Sequence, residues 1–280
     1  MVVALFKQLA LGPREARRGA GARLRPLAFI ACVLALTSAK ADPQAPVVDL
    51  ELILAVDVSF SMSEAEQRVQ REGYASAFRH PDIARAILSG PRGRIAVSYI
   101  EWAGPKYQRV LLPWTVIASY KEARRFADFL TIQPIRREAG TSISAALLRA
   151  ASLFTLSKFT SQQRVIDLSG DGINNAGPPV APIRDKLVAA GISINGLPIT
   201  LRLGTSDRYE SFTADYLKSY FENCVIGGLN AFVIGINSID QFEVAIRRKL
   251  MLEIAGFTDR LWPASSSVVD CAVVGQAPGR

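Results

Sequence analysis

The stretch from Val47 to Ser61 reads V-V-D-L-E-L-I-L-A-V-D-V-S-F-S. Its first ten residues are mostly Val, Leu and Ile, which is typical of a strand buried on both faces of a parallel sheet. Asp57 ends this apolar run, and Ser59 and Ser61 follow at alternate positions. Because alternate residues of an extended chain point the same way, the three oxygen-bearing side chains share one face of the turn. The stretch therefore predicts a central strand with a polar site at its carboxyl end.

Downstream of this strand, helical and extended patterns alternate along the chain. The capping-box pattern Ser63–Glu66 predicts a helix that reaches about Phe78, and a second short helix ends near Gly90. A similar pattern, Ser238–Gln241, begins the last helix. Further strands are predicted at 94–102, 109–116, 164–168, 192–199 and 231–236, and further helices at 120–130, 142–156, 180–190, 214–221 and 238–256. This order predicts an α/β fold with a doubly wound, mostly parallel central sheet and helices on both faces.

Two more polar clusters fall where predicted strands end or loops begin, at Gly140–Ser142 and at Ser169–Gly172. In doubly wound folds, ligands bind at the carboxyl ends of the strands. Hydroxyl and carboxylate oxygens are the hard ligands that Mg²⁺ prefers, and Mg²⁺ is usually held by only one or two carboxylates. The three clusters together therefore predict a site for a hard divalent cation.

The three clusters resemble the metal-ion-dependent adhesion site of von Willebrand factor type A domains. The resemblance covers about residues 47–256, and within that family the chain is similar to a group of uncharacterised exported bacterial proteins. The residues that carry the resemblance, and that it implies as metal ligands, are Asp57, Ser59, Ser61, Thr141 and Asp171.

The resemblance also implies a role for each ligand and for the domain. The three hydroxyls would contact Mg²⁺, or Mn²⁺ or Ca²⁺ in its place, while Asp57 and Asp171 would act directly or through water. The remaining coordination position would be left for an acidic side chain of a partner protein. The family therefore implies a protein-binding, adhesion-type domain and not an enzyme.

Three alternatives accompany this interpretation. Asp167 competes with Asp171 as the second carboxylate, but it lies inside an apolar run whereas Asp171 lies in a turn. The segment Gly170–Asn174 also resembles the second acidic motif of haloacid-dehalogenase-like phosphatases, in which Asp57 would be the nucleophile. That family has a second aspartate two positions later as general acid and base, where this chain has Ser59. The third alternative is a structural envelope protein with a vestigial metal site.

The first 41 residues have the pattern of an export signal. An Arg-rich stretch precedes an apolar run at 27–36, and Ala39–Ala41 matches an A-x-A cleavage site. The apolar run is too short for a membrane span, which needs about 20 residues. Cys32 lies inside the apolar run and not at its end, which argues against lipidation. The sequence therefore predicts a signal peptide at 1–41, a domain at 42–262, a tail at 263–280, and a periplasmic or secreted protein without a stable membrane span.

The positive charge of the chain is concentrated in this signal. The chain of 280 residues has 33 basic and 25 acidic side chains. Seven of the basic side chains and one acidic side chain lie within the first 41 residues, so the remainder is close to neutral. A general nucleic-acid-binding surface is therefore not predicted.

Removal of the signal would leave two cysteines, Cys224 and Cys271. Two cysteines in an exported protein suggest one disulfide, and two unpaired thiols are the alternative. A metal site at this pair is not expected, because no histidine or third cysteine stands near.

Several other residues are expected to have structural roles. The basic groups Arg136–Arg137 and Arg247–Lys249 are expected to be solvated, and Phe60 is expected to point toward the packing helices. Asn174–Asn175 is expected to form a turn, since asparagine tolerates left-handed backbone, and His80 is expected to cap or break a helix.

Overall fold

A five-stranded sheet forms the centre of the fold in the computed structural model, which describes residues 45–201, 212–256 and 269–271. The spatial order is β3-β2-β1-β4-β5, and only β3 is antiparallel to its neighbour. This confirms the predicted doubly wound, mostly parallel α/β sheet. The strands are β1 (Leu50–Asp57), β2 (Ile95–Trp102), β3 (Gln108–Ile117), β4 (Gln163–Gly170) and β5 (Ile192–Pro198).

Helices cover both faces of the sheet. They are α1 (Glu64–Arg79), α2 (Pro81–Ser89), α3 (Tyr120–Thr131), α4 (Ile143–Thr155), α5 (Val180–Ala189), α6 (Ala214–Tyr220) and α7 (Phe242–Ala255), with a π-helical turn at Phe221–Val225 and a 3-10 turn at Ile239–Gln241. Every residue of β1 is buried, because its side chains alternate between two cores. Leu52 and Leu54 pack with α1, α2, α3 and α7, whereas Ile53 and Ala55 pack with α4, α5 and α6.

Helix caps account for several element boundaries. The capping box of α1 is formed: Ser63 Oγ accepts a hydrogen bond from Glu66 N at 3.2 Å, and Ser63 N donates to Glu66 Oε2 at 2.7 Å. His80 Nδ1 accepts from Asp82 N at 3.2 Å and caps α2, as expected. The predicted capping box at Ser238 is wrong, because the Ser238 side chain makes no cap hydrogen bond and a 3-10 turn precedes α7.

The predicted strand at 231–236 is also wrong as a regular strand. The segment lies parallel to β5 and forms isolated bridges at Val233 and Ile236. Gly196 N donates to Phe232 O at 3.0 Å, and Ile236 N donates to the Pro198 carbonyl at 2.9 Å. Between these two bonds a parallel ladder needs an amide at position 198, and proline has none. Proline therefore interrupts the ladder at its centre.

At the opposite side of the sheet, the edge strand β3 is irregular. Its register with β2 shifts between Val97 and Tyr99 and again between Tyr99 and Ile100. Pro113 lies within β3 and is exposed. Proline inside a strand is tolerated chiefly at such an edge position or bulge, where a missing amide breaks no ladder.

A buried ion-pair cluster joins β4 to α7. Lys249 Nζ lies 2.8 Å from Asp167 Oδ1 and 2.5 Å from Glu253 Oε1, and all three side chains are fully buried. Asn195 Nδ2 donates to Glu253 Oε1 at 2.9 Å, and Lys249 Nζ lies 5.4 Å from the centre of the Phe232 ring. The expectation that Lys249 is solvated is therefore wrong. The physical reason is the carboxylate inside the apolar run of β4, which attracts a cation from the facing helix.

Burial, and next the negative charge of Asp167, raise the pKa of Glu253 from 4.5 to about 7. A carboxyl that holds its proton more tightly when folded stabilises the fold at low pH and loses that contribution between about pH 4.5 and 7. We expect the unfolding free energy, measured with chelator, to fall from pH 5 to pH 8. Glu253→Gln should reduce this fall by on the order of 2 kcal/mol.

The matched control for this titration is Glu243→Gln, because Glu243 lies on the same helix with an exposed side chain. Thermal unfolding at pH 5, 6, 7 and 8 compares the two variants. An equally steep decline in both would contradict the assignment of the pH dependence to Glu253.

Cys224, in the π-helical turn, is bonded to Cys271, with the two Cα atoms 5.3 Å apart. The described residues belong to one compact unit, Gln44–Arg280. The predicted signal peptide, its cleavage site and Cys32 lie outside the described residues, as does the predicted tail except for 269–271. The helices of the described ranges include none that qualifies as a candidate membrane span by length and hydropathy.

Candidate metal centre

Residues far apart in sequence meet at the carboxyl ends of β1 and β4. Asp57 is the last residue of β1, and Asp171 follows the last residue of β4, its parallel neighbour. Ser61 Oγ donates a hydrogen bond to Asp171 Oδ1 at 2.7 Å, which joins positions 110 residues apart. Parallel strands place their carboxyl ends at one edge of the sheet, and this is why the two loops meet.

The loop after β1 is organised by the first candidate ligand. Asp57 Oδ1 accepts a hydrogen bond from Ser59 N at 2.7 Å, and the hydroxyls of Ser59 and Ser61 lie 2.8 Å apart. Gln67 Nε2 on α1 donates to Ser59 O at 3.3 Å, so this hydrogen bond joins the loop to α1. Four of the five predicted ligands, including Asp171, therefore form one hydrogen-bonded cluster.

Thr141, the fifth predicted ligand, lies beside this cluster. It is buried, and a Cβ atom at Gly172 would lie 3.9 Å from its Oγ1. Thr141 N donates to Asn175 Oδ1 at 2.8 Å, and Asn175 N donates to Thr141 O at 2.9 Å. Asn174 Oδ1 accepts from Ser144 N at 3.1 Å. The two asparagines thus join the loop after β4 to Thr141 and to the first turn of α4. Neither has the left-handed backbone on which the turn prediction is based, so that prediction is wrong.

Gly170 is a site residue that sequence reasoning did not assign. A Cβ atom there would lie 3.0 Å from Asp57 Oδ2 and 3.2 Å from the Trp102 ring. Any side chain would therefore press on the carboxylate of the first candidate ligand. The available signal was the glycine itself, directly before Asp171.

The other side of the loop is exposed. Phe60 N donates to Glu138 O at 2.9 Å, and 39% of the Phe60 surface is accessible. The expectation that Phe60 points toward the packing helices is therefore wrong. Ser59 and Ser61 point into the cluster, so alternation directs the intervening side chain outward. Arg136 and Arg137 are exposed, as expected, and the Arg137 guanidinium also lies 5.5 Å from the centre of the Phe60 ring.

The two carboxyls of the site are costly to ionise as they stand. Burial, and next the negative charge of Asp171, raise the pKa of Asp57 well above its ordinary value. Burial likewise raises the pKa of Asp171 to about 6, although the hydrogen bond from Ser61 lowers it in part. Asp57 Oδ2 is buried and has no hydrogen-bond partner among the described residues. A buried carboxylate oxygen without a partner is destabilising unless a proton or a cation satisfies it.

The donor chemistry fits a hard divalent cation. The cluster offers two carboxylates and three hydroxyls, all oxygen donors, which suits Mg²⁺, Mn²⁺ or Ca²⁺. A cation would also satisfy Asp57 Oδ2, which makes no hydrogen bond within the described part of the chain. Among the residues that the structure describes, no group of three or more His, Cys, Asp or Glu side chains could hold a metal. A cation here would thus depend on the hydroxyls.

Two other buried acidic residues near the sheet are paired with cations. Asp167 pairs with Lys249 beneath α7, away from the loop that carries Asp171. Glu101, at the end of β2, is buried against Arg71, and Arg109 Nη1 lies 3.5 Å from its Oε2. The geometry therefore favours Asp171 over Asp167 as the second carboxylate of the site.

Comparison with known proteins identifies the fold. Residues 47–258 match the family described as "Protein of unknown function (DUF1194)". No curated protein matches the chain. Proximal thread matrix protein 1 from the mussel byssus, whose structure is described "with zinc occupied MIDAS motif", is 16% identical with a TM-score of 0.53, over 75% of this chain and 48% of that chain.

Two bacterial structures have similar sequence identities and TM-scores to this chain. A von Willebrand factor type A protein from Catenulispora acidiphila is 14% identical with a TM-score of 0.51, over 74% of this chain and 43% of that chain. The pilus adhesin SpaC from Lactobacillus rhamnosus GG is 13% identical with a TM-score of 0.52, over 76% and 32%. The chain thus spans about half or less of the length of these structures. At such identities the similarity shows the fold, and the predicted von Willebrand factor A fold is confirmed.

Proposed function

Because the chain belongs to the DUF1194 family of proteins of unknown function and has the von Willebrand factor A fold, we propose that it is an exported, divalent-cation-dependent protein-binding domain. An acidic side chain of a partner protein would complete the coordination of the cation. We propose binding and not catalysis, with neither nucleic acid nor membrane as partner. The residues proposed to hold Mg²⁺, Mn²⁺ or Ca²⁺ are Asp57, Ser59, Ser61, Thr141 and Asp171.

One observation carries this proposal: the buried carboxyls of Asp57 and Asp171 are linked through the Ser59 amide and the hydroxyls of Ser59 and Ser61, and Asp57 Oδ2 makes no hydrogen bond to any residue that the structure describes. Such an arrangement is unfavourable for folding alone, since ionising both carboxyls requires a countercharge. A cation that accepts oxygen ligands would supply it. The zinc in the MIDAS motif of the mussel protein supports a divalent cation at this position of the fold without selecting Mg²⁺.

Several residues of this chain would hold the candidate ligands in position before a cation binds. The Ser59 amide holds Asp57 Oδ1, which leaves Oδ2 available to a cation. Asn175 fixes the Thr141 main chain beside the Asp171 loop. A bound divalent cation, balanced by only two carboxylates, would supply the electrophilic centre that binds the carboxylate of a partner.

Export is proposed from two observations. The signal-like pattern at 1–41 supports passage across a membrane, and the bond between Cys224 and Cys271 supports an oxidising compartment. We therefore propose that the protein works in the periplasm or is secreted. The pilus adhesin that shares its fold supports this setting.

Thermal unfolding of the purified protein tests the metal site. A cation that binds only the folded state at one hundred times its dissociation constant should stabilise it by about 2.7 kcal/mol. We expect Mg²⁺, Mn²⁺ or Ca²⁺ to raise the melting temperature above that in chelator. Asp57→Ala should abolish the rise, because it removes the orphaned carboxylate.

Asp185→Ala is the matched control, since the Asp185 side chain is two-thirds exposed, at 67%, and pairs with its neighbour Arg184. This variant should keep the full metal response. If none of the cations stabilises the folded wild-type protein, the site is vestigial and the proposed function is wrong.

A further inference from the structure

A guanidinium lies directly beside the candidate metal loop. Arg137 Nε donates to Met62 O at 2.7 Å, and Arg137 Nη2 donates to Phe60 O at 2.6 Å. Phe60 lies between Ser59 and Ser61 in the sequence. The Arg137 guanidinium is therefore bonded to the main chain of the residue that separates the two candidate serine ligands. Nη1 takes part in no hydrogen bond or ion pair among the described residues, and the side chain is exposed. The two main-chain carbonyls thus hold Nε and Nη2 of the guanidinium, and Nη1 is left for a ligand.

Two more cations belong to the Arg137 loop or to the turn that packs on it. Arg136 precedes Arg137, and Lys106 lies in the turn between β2 and β3; both are exposed. That turn packs on the arginine loop, because Gly104 N donates to Ala139 O at 3.1 Å. We call Lys106, Arg136 and Arg137 the basic rim. Glu138 is the acidic side chain within this loop, so the rim keeps an excess of positive charge.

We propose that the partner segment carries two acidic residues at alternate positions, one directed to the metal site and one to Arg137. This inference rests on the proposed function. Alternate residues of an extended segment point to the same side and lie about 7 Å apart. Arg137 is bonded to the carbonyl of Phe60, the residue between the two candidate serine ligands, so a segment with this spacing would present one acidic group to each position. A guanidinium binds a carboxylate through paired hydrogen bonds, so its free edge selects an acidic group.

Labelled peptides in Mg²⁺, measured by fluorescence anisotropy, test the pairing. The first heptapeptide has glutamate and aspartate separated by one glycine in a glycine background. The second has asparagine in place of aspartate, and the third has neither acid. The doubly acidic peptide should bind the wild-type protein about threefold more tightly than the singly acidic one, which is within the range for an exposed ion pair. The preference should shrink at 0.5 M salt, where charges are screened over about 4 Å.

Arg137→Gln should remove the preference and leave the singly acidic peptide bound as before, and Arg137→Lys should restore part of it. Arg125→Gln, on α3 and exposed, is the control and should keep the full preference. The Mg²⁺ response in thermal unfolding shows in every variant that the fold and the metal site are intact.

The outcomes separate this inference from the proposed function. Loss of the Mg²⁺ response in the wild-type protein would refute the metal site itself. With that response intact, a preference that survives in Arg137→Gln, or no binding of any acidic peptide, would overturn the pairing with Arg137. Equal Arg137-dependent binding of a DNA oligonucleotide would assign the rim to polyanions in general and would also overturn it.

Discussion

Replacing Lys249 by methionine is expected to lower the unfolding free energy by about 3–5 kcal/mol at pH 7. The ammonium lies 2.8 Å from Asp167 and 2.5 Å from Glu253, and all three side chains are fully buried. Removing it leaves two carboxyls without a countercharge in an apolar layer. Urea unfolding followed by circular dichroism measures the loss.

Arg248→Met is the matched control, because Arg248 is the exposed neighbour on α7. It should change stability by no more than about 0.5 kcal/mol. Adding Asp167→Asn to Lys249→Met should recover part of the loss, since fewer unpaired charges remain buried. If Lys249→Met is as stable as the Arg248 variant, the cluster does not contribute to stability as proposed.

Replacing both Cys224 and Cys271 by alanine is expected to cost about 4 kcal/mol in the chain-entropy description of crosslinks. The bond spans 47 positions of sequence and ties residues 269–271 to the core formed with α4, α5 and α6. Without it, the unfolded chain gains the conformations that the crosslink excludes. The midpoint of urea unfolding in oxidising buffer measures the difference.

Reduction of the wild-type protein separates the crosslink from the small cavity left by Cys224, which is fully buried. A reductant should lower the midpoint of the wild-type protein and leave that of the double variant unchanged. A wild-type protein that is equally stable with and without reductant would show that the bond contributes little.

The sheet and its flanking helices could be predicted because their signals are local. The run that forms β1 is apolar at every position except two acidic residues, and the structure buries all of it. Ser63 and Glu66 indicate the start of α1, and the structure forms both hydrogen bonds of the box. Where a boundary depends on a distant contact the prediction failed, as at 231–236, whose ladder is broken by a proline in another strand.

The residues of the site could be predicted from the sequence, but most contacts between them could not. Oxygen-bearing side chains at the ends of predicted strands pointed to Asp57 and Asp171, and the parallel arrangement of β1 and β4 brings them together. The structure adds contacts that no local pattern contains: the space that Gly170 leaves for Asp57 Oδ2, and the pairing of Asn175 with Thr141.

The errors at Lys249 and Phe60 share a physical cause. Charge and hydrophobicity predict burial on average, but each residue takes the side that its backbone position assigns. Lys249 lies on the face of α7 that packs on the sheet, where it pairs with two carboxylates. Phe60 lies between two serines that point into the cluster, and its own side chain points outward. Sequence composition in a short window carries no information about such pairings.

The irregular edge strand β3 has a consequence for how copies of this protein meet. An edge strand with a regular row of amides is a template for strands of other chains, and natural proteins blunt it with proline and bulges. Pro113 and the register shifts between β2 and β3 place both devices on this edge. We therefore expect the protein to resist edge-to-edge aggregation here at high concentration, and strand addition at β3 is disfavoured as a route for partner binding.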